Sequence, residues 1–196
     1  MDIDIESLER ATLDAVAPAE VGTLPGWLLP FDQSTVGRAI SAVPLQHADM
    51  DPALIAEIET HFAQRALKTQ FRLAAVTGLA NLQQALQDRG YTAHQATLTL
   101  VGTVDSWPAA ETGRAVLLRA QPTEAWRSVY LSDDFDPKDG ADRVRALSRS
   151  QSQVYASICD ASGPIAAGTG LSAKGGPACM ACEPWRANAA KATPVP

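Results

Sequence analysis

A chain of 196 residues and 20.7 kDa has room for one ordinary domain or two small ones. At 46% hydrophobic and 19% charged it is globular, which excludes a disordered or fibrous chain for most of its length. Sixteen Lys and Arg against 22 Asp and Glu leave a formal net charge of -6, which speaks against nucleic acid or an anionic membrane as partner. No apolar run approaches the roughly 20 residues that span a bilayer. Asp2, Asp4 and Glu6 give the N-terminus the wrong sign for a secretory leader. Three Cys make no disulfide framework. These features predict a soluble, cytoplasmic protein of mixed α and β structure.

In chain order, Ile5, Leu8, Ala11 and Leu13 form the broken apolar stripe of a short helix over residues 5–17, stopped by Pro18. The bulky run Gly26-Trp27-Leu28-Leu29-Pro30-Phe31 predicts a strand that turns at Asp32-Gln33-Ser34. Residues 37–45, with Ile40 and Val43, read as a second strand with Pro44 near its end. Asp51 as N-cap and Pro52 at the first helical position open the clearest helix. Leu54, Ile55, Ile58 and Phe62 mark its buried face through to about residue 66. A short strand is predicted at 70–74. A helix carrying Leu79, Leu82 and Leu86 follows and ends at Gly90. A Thr-rich alternating strand is predicted over 91–101.

The second half starts near Ser106-Trp107-Pro108. It predicts a helix over 124–131, an acidic turn at 133–140 and a helix over 141–149 carrying Val144 and Leu147. A strand over Gln153–Asp160 then turns at Ala161-Ser162-Gly163 and returns over 164–168. Residues 169–196 contain no Ile, Phe or Tyr and a single Val, and no period of 2 or 3.6 survives in them. Such a segment cannot bury enough apolar surface to offset its ordering entropy, so the sequence predicts a disordered C-terminal tail.

No chemical motif is complete. Cys179-Met180-Ala181-Cys182 has the spacing of half a zinc site or a redox pair, but no second ligand pair accompanies it. An accidental pair in a tail is the plainer reading. His47, His61 and His94 have no Ser or Cys at a nucleophile spacing. His61 sits beside Phe62 as a boundary residue, and His94 faces outward from its strand. Asp133, Asp134, Asp136 and Asp139 lack the spacing and the terminal Glu of a calcium loop and read as a solvated turn. There is no Gly-x-Gly-x-x-Gly and no Walker loop, and Gly168-x-Gly170 is too short to cradle a phosphate. Composition and spacing therefore assign no catalytic, cofactor-binding or metal-binding residue.

Several stretches together resemble the GNAT family of N-acetyltransferases, in particular a bacterial type with an N-terminal GNAT-like extension. The run from Gly26 to Asp32, then Gly37-Arg38-Ala39-Ile40-Ser41-Ala42-Val43-Pro44-Leu45, looks like the extension's paired strands. The order over residues 37–101 is strand, helix, strand, helix, strand. With the Arg89-Gly90-Tyr91 break before the last strand, this is similar to the second half of a GNAT domain. Residues 126–168, as helix, helix, strand, hairpin and strand, are similar to the first half of one. The resemblance covers about residues 5–168. It implies an α+β fold with a GNAT-like mixed sheet flanked by helices and an incomplete second GNAT domain. It implies the following layout: 1–104 an N-terminal half-domain or extension, 105–168 the first half of an acetyltransferase domain, and 169–196 a disordered tail.

The family's next element is missing. GNAT enzymes bind the pyrophosphate of acetyl-CoA on an Arg/Gln-x-x-Gly-x-Gly/Ala loop, where exposed backbone N–H groups meet the anion at a helix N-terminus. Neither residues 169–196 nor residues 46–51 contain such a loop. Shifting the reading frame of the tail by one base accounts for this. Met180 followed by Ala181 requires ATG-GCN, which spells Gly in the shifted frame. Codon degeneracy lets the stretch from Ser172 to Pro184 spell Phe-Ser-Gln-Gly-Trp-Ala-Ser-Val-His-Gly-Met-Arg-Thr. A Lys-Gly-Tyr-Ala run is allowed further on. The residues from about 170 onward then read as an out-of-frame tail.

The resemblance implies acetyl transfer from acetyl-CoA to a small-molecule or peptide amine, by direct attack without a covalent enzyme intermediate. This chain is expected to be inactive and not to bind acetyl-CoA. A non-catalytic binding or regulatory module derived from a GNAT protein is the alternative, and a metal or redox protein using Cys179 and Cys182 is a third reading. Beyond the tail boundary, the outer edge of residues 165–168 is expected to lack a partner strand and to favour self-association.

Overall fold

A two-residue turn, Pro25-Gly26, joins β1 (Glu20–Leu24) to β2 (Trp27–Phe31) in an antiparallel hairpin. Gly26 sits at φ +77°, in the left-handed region that glycine tolerates best. In this computed structural model the described residues are 4–99, 115–151 and 153–171, together with the backbone of 179–184. β3 (Val43–Pro44) pairs with the other side of β2, giving a three-stranded sheet in the order β1-β2-β3. All five residues of β2 are buried, and their alternation divides them between two cores. Leu28 faces one; Trp27, Leu29 and Phe31 face the other.

The second of these cores is helical. α3 (Leu54–Ala63) contributes Ile55, Ile58 and Phe62, and α4 (Ala80–Asp88), entered through a 3₁₀ turn over Thr77–Leu79, contributes Leu82 and Leu86. The Phe31 and Phe62 rings meet edge-on with centroids 4.9 Å apart. Asp51 accepts from the backbone N–H of Ala53 at 2.9 Å, one residue before α3 begins. Gly90, at φ +86°, closes α4 as the sequence predicts.

The first core joins the two ends of the chain. α1 (Ile5–Val16) is capped by Asp4, which accepts from Ser7 N, and supplies Leu13 and Val16. Leu28, Ala39 and Val43 meet Trp126, Val129, Tyr130, Leu147, Tyr155 and Ala167 there. The later residues come from α5 (Glu124–Tyr130), α6 (Pro137–Leu147), β5 (Gln153–Asp160) and β6 (Gly163–Leu171). With β4 (Val116–Arg119) and β7 (Cys179–Pro184), the last two strands form an antiparallel sheet in the order β4-β5-β6-β7. Trp126 ties α5 to this sheet by donating Nε1–H to the Gly168 carbonyl at 3.0 Å. Residues between Leu13 and Val43 and between Trp126 and Ala167 thus contribute to one hydrophobic core.

The α+β class is therefore what the chain adopts, with six α-helices and two antiparallel sheets among the described residues. Several elements differ from the sequence reading. Residues 37–45 are not one strand: α2 (Gly37–Ile40) takes the first four, because Ala39 must turn inward to reach the first core. The predicted strand at 70–74 reduces to one parallel bridge between Ala42 and Phe71. Residues 91–99 form no strand, and 92–99 are exposed, because alternation and Thr content make a strand only where a neighbour completes the ladder; 100–101 lie outside the described residues. β1 and β4 lie where no strand is predicted. Of the predicted tail, 169–171 extend β6 and 179–184 form β7; its other positions lie outside the described residues. β7 pairs with Ala166–Leu171, so the outer edge of β6 is occupied, contrary to expectation. Ladder hydrogen bonds are made by the main chain, so a strand can form without a strong side-chain pattern.

Candidate functional site

The acidic residues of 133–142 organise the seam between the β2–α2 loop and α6; the sequence reading takes 133–140 as a turn and starts the helix at 141, but 137–140 already form the first turn of α6. Asp136 is the N-cap of α6 and its Oδ1 accepts from Lys138 N at 3.0 Å and Asp139 N at 2.9 Å, with Pro137 in the first turn. Asp139 accepts from the Thr35 hydroxyl at 2.6 Å and from Arg143 Nε at 2.7 Å. Burial raises the Asp139 carboxyl, and these two donors more than reverse it, holding it below the usual range. Asp142 accepts from Thr35 N at 2.9 Å, Lys138 Nζ at 2.8 Å and Arg145 Nη2 at 2.5 Å. The Lys138 bond is the main cause of its lowered pKa. Asp136, Asp139 and Asp142 are thus cap and ion-pair residues. Among the described residues no group of three His, Cys, Asp or Glu side chains is close enough to share a metal ion.

The remaining candidates do not converge. His47 is half-buried in the loop after β3, His61 lies half-buried on α3, and His94 is exposed in the unpaired segment after α4. Among the described residues none of the three imidazoles bonds to a Ser hydroxyl or a Cys thiol. Cys179 pairs with Leu171 and Cys182 with Gly168 across the β6–β7 ladder. Arg89-Gly90-Tyr91 clamps α4 to α3: Arg89 Nη1 and Tyr91 Oη each donate to Glu59 at 3.0 Å. Burial first, then Glu59, pushes the Tyr91 phenol up to about 12.

The sequence reading takes Asp32-Gln33-Ser34 only as a turn, yet these residues edge a cleft of about 190 Å³. Asp32 Oδ1 accepts from Ser34 N at 2.7 Å, the Asx-turn geometry that Asp-x-Ser encodes and the one signal that could have pointed there. Asp32 Oδ2 accepts from Ala19 N at 2.9 Å and from Arg149 Nη2 at 2.5 Å. Across the cleft stand Phe62 of α3 and Leu67, Lys68 and Gln70.

An acetyl-CoA site of the kind the resemblance implies would follow β7, with glycines and a helix N-terminus presenting backbone N–H groups. β7 ends at Pro184, and no Gly occurs in the sequence after Gly176.

A family model described as the C-terminal region of the probable histone acetyltransferase Rv0428c matches residues 3–170. No curated protein and no solved structure matches the chain.

Proposed function

Because the chain belongs to the family of the C-terminal region of the probable histone acetyltransferase Rv0428c, we propose that it is a GNAT-type N-acetyltransferase polypeptide whose reading frame breaks near residue 170. The class of reaction is acetyl transfer from acetyl-CoA to an amine. The observation that carries the reading is the coincidence at one position: the family match stops at residue 170, where the composition changes and the motif for the cofactor should begin. The element order supports it as well. α5, α6, β5 and β6 run in the order that the resemblance calls for, and β7 stands in the place of the strand that leads into the cofactor loop.

With that loop missing, this chain neither binds acetyl-CoA nor transfers the acetyl group. A second reading, a non-catalytic binding or regulatory module, is favoured by one observation: among the described residues both cores are built from positions no later than Ala167. Titration calorimetry with acetyl-CoA tests the proposal on two proteins, this chain and the product of a gene restored to the shifted frame from codon 171. This chain should give no binding heat and the restored product should bind. Micromolar binding by this chain would refute the frame break. Failure of a folded restored product to bind would refute the GNAT assignment. The nucleotide sequence around codons 168–172 and past the stop codon checks the same break directly.

A further inference from the structure

We propose that the cleft between the β2–α2 loop and the segment after α3 binds a small organic carboxylate carrying a ring or a short alkyl chain. This inference does not rest on the acetyltransferase reading. The cleft measures about 190 Å³. A dry apolar cavity of about 150 Å³ accommodates benzene, and drug-sized sites start at about 300 Å³. One ring or a chain of similar bulk therefore fits. The apolar lining comes from the half-buried Ile40 and Leu67, together with the fully buried Phe62.

The charge at the cleft selects the ligand's head group. Asp32 cannot serve as an open anion, because Ser34 N, Ala19 N and Arg149 already occupy its two oxygens. Lys68 also lines the cleft, is exposed, and forms no ion pair among the described residues. It is the uncompensated charge there, and it is positive. Gln33 and Gln70 add side-chain amides that make no hydrogen bond among the described residues. One ammonium and two amide donors beside an apolar floor match a carboxylate on an apolar body.

Both walls are held by hydrogen bonds, through the Asp32 carboxylate on one side and main-chain groups on the other, so little is lost in ordering them on binding. The Asp32 turn fixes one wall. The other is pinned where Ala42 N donates to Gln70 O at 2.8 Å and Arg72 N donates to Ala42 O at 2.9 Å.

Two-dimensional amide NMR of the full chain, titrated with benzoate, tests the site. Saturable shifts confined to residues around 33–34 and 67–70 are expected. Benzyl alcohol, the neutral analogue, should bind at least tenfold more weakly. Lys68→Gln, an exposed change that leaves the core intact, should weaken benzoate at least tenfold, and Lys68→Arg should restore it. Shifts that do not saturate, shifts centred elsewhere, or equal benzoate affinity in the wild type and Lys68→Gln would overturn the proposal.

Discussion

Arg149, two residues past the end of α6, reaches back 117 positions to Asp32 at the end of β2, with Nη2 and Oδ2 2.5 Å apart. The bond closes the seam in which Thr35 already meets Asp139 and Asp142. The Asp32 side chain is only 2% exposed and that of Arg149 33%, so the carboxylate depends on its donors while the guanidinium keeps some contact with water.

That asymmetry sets the first prediction. Burial raises the Asp32 carboxyl, but the bonds from Ser34 and the Arg149 charge outweigh it and leave the pKa lowered. A carboxyl depressed in the folded state adds stability above its unfolded value of about 3.9, and that stability is lost as pH falls through the folded value. Asp32→Asn should cost about 1–3 kcal/mol at pH 7, the range for stranding buried hydrogen-bond partners. The gap between variant and wild type should narrow from about pH 4 downward. Urea titrations at pH 7 and pH 3 measure it; an equal gap at both would show that the charge is not the source.

How much of this was legible in the sequence depends on whether a signal was local. α1, α3 and α4 follow from apolar spacing and the stops at Pro18 and Gly90, although α3 starts at Leu54 with Ala53, not Asp51, in the cap position, and the β5–β6 hairpin follows from Ala161-Ser162-Gly163. β1 escaped because Glu20-Val21-Gly22-Thr23-Leu24 is mostly exposed and shows itself only through its pairing with β2. β4 escaped because all four residues are exposed, Leu118 at 58%, so burial imposes no pattern on them. The strand wrongly predicted at 91–101 had alternation but, through residue 99, no partner. The cleft joins residues 32–40 to 62–70 with no motif in either, so only folding brings Lys68 beside the Asp32 turn.

The second prediction concerns Gly140. Alanine is favoured over glycine by about 1 kcal/mol in a helix interior, so Gly140→Ala would stabilise an isolated α6. In the fold, a Cβ there would fall far inside van der Waals contact with the Tyr130 carbonyl oxygen, the point where α5 ends against α6. Backbone cannot move aside as a side-chain tip can, and overpacking costs about 1–3 kcal/mol. A net loss is expected, visible as a lower thermal midpoint. A midpoint at or above that of the wild type would mean that the helices separate at no cost.

Phe62 gives the third. It is fully buried on α3 and stacks edge-on against Phe31. Phe62→Ala should cost about 3–5 kcal/mol in chemical denaturation, the transfer loss plus the cavity left behind. A cost below about 1 kcal/mol would place the apolar face of α3 elsewhere.

The fourth concerns β7. Read as a shapeless tail, residues 172–196 should be removable with the thermal midpoint nearly unchanged. The ladder reverses that expectation, since six residues of β7 pair with Ala166–Leu171. Deleting 172–196 leaves the outer N–H and C=O groups of β6 without ladder partners beside Ala167 and Leu171, which are buried in the intact chain. An uncovered strand edge is a template for another chain. The deletion should therefore lower the midpoint by several degrees and make the apparent mass by light scattering rise with concentration, more steeply than for the intact chain. An unchanged midpoint with an unchanged mass would mean that the β6–β7 ladder contributes nothing to stability.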